Sequence, residues 1–248
     1  MTKLLLLHLL LLVLCVSGHE SRSIRFQKPF EQDQDGTYGL CENQYGQMYY
    51  YKEYEGQENV CEKDVAKVKY SNRINETGWA FVEVEVSGRV KEPYQQGYAA
   101  GYVEGRATRE LIQLHLSNTV DGFCKGAEKF CEDLNQYLLD NFLWMEEKIA
   151  KHPFDDYWIQ VNMTINQLLG MIDGYEGALG RRLALQEIVS HPLFLIQLAG
   201  DIEDLAVKFK KPETKRSILA GTGHCSALVK KLLQIMWKCP KERVCPPG

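Results

Sequence analysis

Trp79-Ala80-Phe81-Val82-Glu83-Val84-Glu85-Val86 alternates apolar residues with glutamate in its second half, and from Tyr94 onward that period is abandoned. A period of two belongs to a strand with one buried face. Downstream, Gly97, Gly101 and Gly105 recur every four residues beside Ala99, Ala100, Val103, Leu111, Ile112 and Leu114, which is a helical spacing. Glycine costs roughly 1 kcal/mol against alanine inside a helix, so this small-residue stripe needs close packing on a sheet or another helix to offset it. The change of period predicts an α+β protein, with an antiparallel sheet first and helices after it.

Working outward, Gln47 to Tyr54 and Val65 to Tyr70 are rich in Tyr and Val and read as strands, behind a polar, turn-rich lead to about Thr37. Helices are expected from about Cys124 to Ala150, Asp155 to Gly170, Arg182 to Val189 and Leu193 to Phe209. Gly122, Pro153, the stretch Gly170 to Gly180, and Pro192 punctuate them. Lys210 to Arg216 is a charged connection into Ser217 to Lys230, two apolar runs around a glycine-rich turn.

Met1-Thr2-Lys3, the apolar run Leu4 to Val16 and the small residues Ser17-Gly18 form a signal peptide over residues 1–18, leaving a mature chain from His19. The run falls short of the roughly 20 residues of a bilayer span, and no later apolar stretch reaches that length, so no transmembrane anchor is expected. With 45% hydrophobic and 25% charged residues the composition is that of a globular chain, not a disordered one. A net charge of -4 with both signs interspersed offers no basic stripe, so nucleic acid is not an expected partner. The sequons Asn75-Glu76-Thr77 and Asn162-Met163-Thr164 suit glycosylation in the secretory pathway.

Of eight cysteines, Cys15 lies in the signal, and the remaining seven leave one thiol over in an oxidising compartment. Proximity in sequence suggests Cys41 with Cys61, Cys124 with Cys131 if the helix breaks between them, and Cys239 with Cys245. Spacing alone does not prove connectivity. On this scheme Cys225 is the thiol left over.

Cys225 follows Gly221-Thr222-Gly223-His224, where glycine lets the backbone turn sharply. Two readings compete: a cysteine buried between two strands, or a nucleophile uncovered by self-cleavage of the His224–Cys225 bond. Scission frees an α-amine on Cys225 that can then take the thiol proton. His-Glu-x-x-His, Cys-x-x-Cys and Gly-x-Ser-x-Gly are all missing, so neither a metal site nor a cofactor is expected. Glu104 and Arg109, on the glycine-striped helix, read either as a buried polar pair or as part of a solvated face.

Gly223-His224-Cys225-Ser226-Ala227-Leu228-Val229-Lys230 resembles the cleavage site of the phospholipase B-like family of lysosomal and secreted N-terminal-nucleophile hydrolases. Upstream blocks agree in order: Gly78-Trp79, then Tyr98 to Gly105 with Thr108, Tyr157-Trp158, Gln167-Leu168, Gly174-Tyr175 and Leu198 to Leu205. The resemblance spans Tyr38 to Lys230. It implies part of an αββα sandwich, with residues 19–224 as a helix-rich small-chain portion carrying an antiparallel sheet. It also implies Cys225 as nucleophile, opening a large chain at residues 225–230, with residues 231–248 a divergent tail. The implied activity is acyl hydrolysis, releasing fatty acids from phospholipid or another acyl substrate in the lysosomal lumen or outside the cell. The alternatives are an amidase of the same fold or a non-catalytic secreted binding or regulatory protein. The large chain is an expected partner, and without it these 248 residues are expected to be inert.

Overall fold

The computed structural model describes residues 35–54, 61–181 and 183–212. The signal peptide, the His224–Cys225 bond, Cys239 and Cys245 lie outside them.

Four strands form one antiparallel sheet: β1 (Gly36–Glu42), β2 (Met48–Glu53), β3 (Lys63–Arg73) and β4 (Trp79–Val86), in the order β2-β1-β3-β4. Register follows the alternation in the sequence. Tyr38 pairs with Val68 and Leu40 with Ala66, while Val84 and Val86 of β4 pair with Val68 and Ala66, so the apolar residues of three strands share one face. The other face carries Lys67, Lys69 and Glu83 together with the exposed rings of Trp79 and Phe81. The fold class is therefore α+β.

β1 begins at the end of the lead expected to run to about Thr37 and occupies a stretch for which the sequence reading expected no strand. Its glycines weaken the strand signal, yet Gly39 is required, because a Cβ there would sit 2.5 Å from the ring of Tyr51 on the paired strand. A disulfide joins Cys41 of β1 to Cys61 at the entrance to β3, with their Cα atoms 5.6 Å apart.

The helices are α1 (Ile74–Thr77), α2 (Pro93–Ala107), α3 (Arg109–Thr119), α4 (Glu128–Lys151), α5 (Asp156–Glu176), α6 (Leu185–Val189), α7 (Pro192–Gln197) and α8 (Ile202–Lys208). Pro93 starts α2 where a missing N–H costs nothing. Its Ala99, Tyr102 and Val103 close the sheet core with Leu40, Val68 and Tyr70. The opposite side of α2 meets α5 through glycines. Cβ atoms added at Gly97, Gly101 and Gly105 would lie 2.2, 1.9 and 2.3 Å from the carbonyl oxygens of Met163, Gln167 and Met171. From α5, Gly170 and Gly174 return the contact against Tyr98 and Tyr102. The pairs ascend together, so the two helices run parallel, backbone against backbone.

Three elements depart from the sequence reading. α5 does not stop at Gly170 but continues to Glu176, because its glycines face a neighbour and do not end the helix. The long helix expected from Tyr94 breaks at Thr108, whose hydroxyl donates to the carbonyl of Glu104 at 2.8 Å. The Leu193–Phe209 helix is two pieces, α7 and α8.

α4 is amphipathic, burying Phe130, Leu134, Leu138 and Phe142 at four-residue spacing against Ile188, Val189, Ile202 and Leu205. It starts at Glu128, not Cys124, because Gly126 adopts φ 76°, a left-handed conformation. That break lets Cys124 fold back and bond to Cys131, Cα atoms 5.8 Å apart. Among the described residues no helix is long and apolar enough to cross a membrane.

Candidate functional site

The glycine seam gathers the polar residues of α2 and α5. The Tyr98 hydroxyl donates to Asp173 Oδ2 at 2.7 Å and accepts from the backbone N–H of Gly180 at 2.7 Å. Asp173 is completely buried. Its Oδ2 also accepts from Arg181 N at 3.1 Å, while Oδ1 makes no hydrogen bond and faces the Arg181 Nε at 3.5 Å. The guanidinium of Arg181 continues to Glu176 at 2.5 Å, and Glu176 Oε1 meets His191 Nε2 at 3.1 Å. His191 Nδ1 accepts the Leu193 N–H at 3.2 Å, capping α7. With Nδ1 accepting, the ring proton sits on Nε2 and is donated to Glu176.

Burial sets the protonation of this cluster. It pushes the Asp173 carboxyl above the usual range, against the pull of Tyr98 and Arg181. Desolvation, reinforced by the Asp173 hydrogen bond, raises the Tyr98 hydroxyl far above its ordinary value. Glu176 goes the other way, lowered first by the His191 hydrogen bond and then by Arg181, against its own burial. The cluster clamps the turn after α5 onto the helix pair.

A cavity of about 780 Å³ opens beside it, between the start of β3 and the N-terminus of α2. Lys63, Asp64, Arg89, Glu92 and Tyr94 line it, with Tyr98 at its wall. Both charges are represented, and among the described residues no group of three His, Cys, Asp or Glu side chains is placed to hold a metal ion.

Glu104 and Arg109 do not partner each other as the sequence reading allowed. Glu104 takes a hydrogen bond from Gln167 and is raised by burial, while Arg109 lies over the Tyr175 ring, 5.8 Å from its centroid. Asn75 is exposed on α1, whereas Asn162 is half-buried in mid-α5, its carboxamide oxygen accepting from Asn166 at 2.9 Å. The four described cysteines are all bonded to one another in two bridges, so none of them offers a thiolate. Asp173, Glu176, Arg181 and His191 escaped the sequence reading. The only signal was an acidic residue directly before Gly174-Tyr175.

A family model described as Phospholipase B matches residues 66–236, which takes in most of β3, all of β4, the glycine seam and the clamp, and reaches past Cys225. The chain belongs to the phospholipase B family. It is 50% identical over 203 residues to phospholipase B-like 1 of Caenorhabditis elegans, covering 82% of this chain and 36% of that relative. Against phospholipase B-like 2 of Homo sapiens the identity is 41% over 171 residues, covering 68% of this chain and 28% of the relative. The phospholipase B-like lamina ancestor of Drosophila melanogaster is 34% identical over 158 residues. This phospholipase B chain thus spans about a third of the length of the relatives it matches.

Proposed function

We propose that this chain is the small-chain portion of a phospholipase B-like acyl hydrolase, with Cys225 as nucleophile uncovered by scission of the His224–Cys225 bond. The observation that carries the reading is the family match across residues 66–236, which joins the α2–α5 scaffold to the segment holding Cys225. The bonding of all four described cysteines supports it, because it leaves the nucleophile role to a cysteine beyond them. Disulfides also suit an oxidising compartment, and with the signal peptide they favour a lysosomal or extracellular destination.

In this mechanism the Cys225 thiol attacks the His224 carbonyl carbon and the peptide nitrogen leaves as the α-amine of Cys225. Water then hydrolyses the thioester, ending the small chain in a His224 carboxylate. The free α-amine takes the thiol proton as sulfur attacks the acyl carbonyl of a phospholipid. The alcohol leaves with that proton, and a second water releases the fatty acid. An unperturbed α-amine titrates at roughly 7.7–8.0, so activity in acid requires neighbours that lower it.

The test compares the chain as it stands with one extended to the length of the Caenorhabditis elegans relative. Mass spectrometry follows scission after His224, and fatty-acid release from phosphatidylcholine follows turnover. The extended protein should do both, and Cys225→Ala should abolish both. Hydrolysis that survives Cys225→Ala would overturn the proposal.

A further inference from the structure

The turn joining α4 to α5 exposes aromatic rings that the fold has no use for. Phe154 is 94% exposed, Tyr157 67% and Trp144 51%. Around them Trp158 is packed edge-to-face by Trp144 at 5.4 Å and by Tyr157 at 5.0 Å, with His152 stacked on it at 6.5 Å. The tip is also rigid. Asp155 N donates to the His152 carbonyl at 3.2 Å, and the Asp155 carboxylate caps α5 by accepting from Tyr157 N at 2.9 Å. Phe154 is thereby held outward as a wedge, and none of the described residues buries it.

We infer that this hairpin tip is a lipid-surface anchor for phosphatidylcholine. Phe154 enters the acyl region, while Trp144, Tyr157 and Trp158 stay at headgroup depth. Amphipathic rings favour that depth, and cationic quaternary ammonium groups sit well on their faces. Charge selects the lipid. Glu146, Glu147, Asp155 and Asp156 outnumber Lys148 and Lys151 at the tip, so it repels an anionic surface and attracts choline. Glu147 and Lys151 are already paired with each other, and Lys148 lies 5.8 Å from the Trp144 ring centroid. The inference takes its lipid class from the acyl-hydrolase reading but concerns binding alone.

The test is sedimentation of the protein extended to the length of the Caenorhabditis elegans relative, with sucrose-loaded vesicles and without them, which reads binding without turnover and separates it from self-association. Wild type should sediment with phosphatidylcholine vesicles and blue-shift its tryptophan emission, and less of it should follow phosphatidylserine vesicles. Phe154→Asp should lower the bound fraction about tenfold, the scale expected for burying one phenyl group, while Phe154→Trp retains binding. Unchanged circular dichroism is expected for both, since the side chain packs on nothing. The inference is overturned if wild type fails to bind, if Phe154→Asp binds equally well, or if phosphatidylserine is preferred. A dimer in gel filtration that Phe154→Asp disperses would also overturn it, assigning the tip to a second copy. Vesicle binding is read without turnover and fatty-acid release is read separately, so failure of the hydrolase reading and failure of the anchor are told apart.

Discussion

Tyr98 holds two helices and a turn with one oxygen, donating to Asp173 and accepting from Gly180. Tyr98→Phe keeps the ring and deletes both bonds, leaving a buried carboxylate oxygen and a backbone N–H short of partners. A loss of about 1–3 kcal/mol is expected, read from urea unfolding of the two proteins. Glu104 gives a pH-dependent prediction. Burial lifts its carboxyl above the ordinary 4.5 in the folded chain, with the Gln167 hydrogen bond opposing. The fold therefore carries a cost for ionised Glu104 at neutral pH, which disappears as pH falls through the folded value toward the unfolded one. Glu104→Gln should raise Tm at about pH 7 and leave it nearly unchanged at about pH 4, measured by scanning calorimetry. Glu176, held low, has the opposite sign: its stabilisation is present above 4.5 and is lost as pH falls through its folded value.

Among the elements, the α2–α5 seam tolerates no Cβ. At Gly101 the added atom would lie 1.9 Å from the Gln167 carbonyl, and backbone cannot swing aside as a side chain does. Gly101→Ala is expected to destabilise by about 3 kcal/mol or more, at or beyond the upper end of ordinary overpacking. Gly88→Ala, where the new methyl meets nothing within 4 Å, is the control and should change Tm little. The four-residue glycine period announced this seam in the sequence, and the alternation of Trp79 to Val86 announced the sheet. The partner helix was expected only as far as Gly170, because Gly170 and Gly174 read as a helix end when their neighbour is unknown. β1 was hidden by Gly39 for the same reason: that glycine answers to a contact, not to local propensity. The clamp was invisible because Tyr98 and Asp173 are 75 residues apart and meet only through the seam. Cys124 and Cys131, close in sequence, were paired by distance along the chain alone.

At the scale of the whole molecule, among the described residues the sheet leaves Trp79 and Phe81 exposed on the face away from α2, and β4 is an edge strand. Such a surface favours association when nothing covers it. The 248 residues alone are therefore expected to release no fatty acid above a Cys225→Ala background. Loss of a single oxyanion donor already costs roughly 10² to 10³ in rate, and the relatives extend well beyond the matched third. If the chain follows the secretory route proposed for it, glycosidase treatment should speed its gel migration, with exposed Asn75 the better acceptor than half-buried Asn162. The parallel run of α2 and α5 has a consequence in time. Gly97 finds Met163, Gly101 Gln167 and Gly105 Met171, each 66 residues later. At about 5–20 residues per second of synthesis, α2 waits roughly 3 to 13 seconds with its glycine face bare before its mate is made. A nascent chain stalled within α4 should therefore remain protease-sensitive at α2, and gain protection only once Glu176 has emerged.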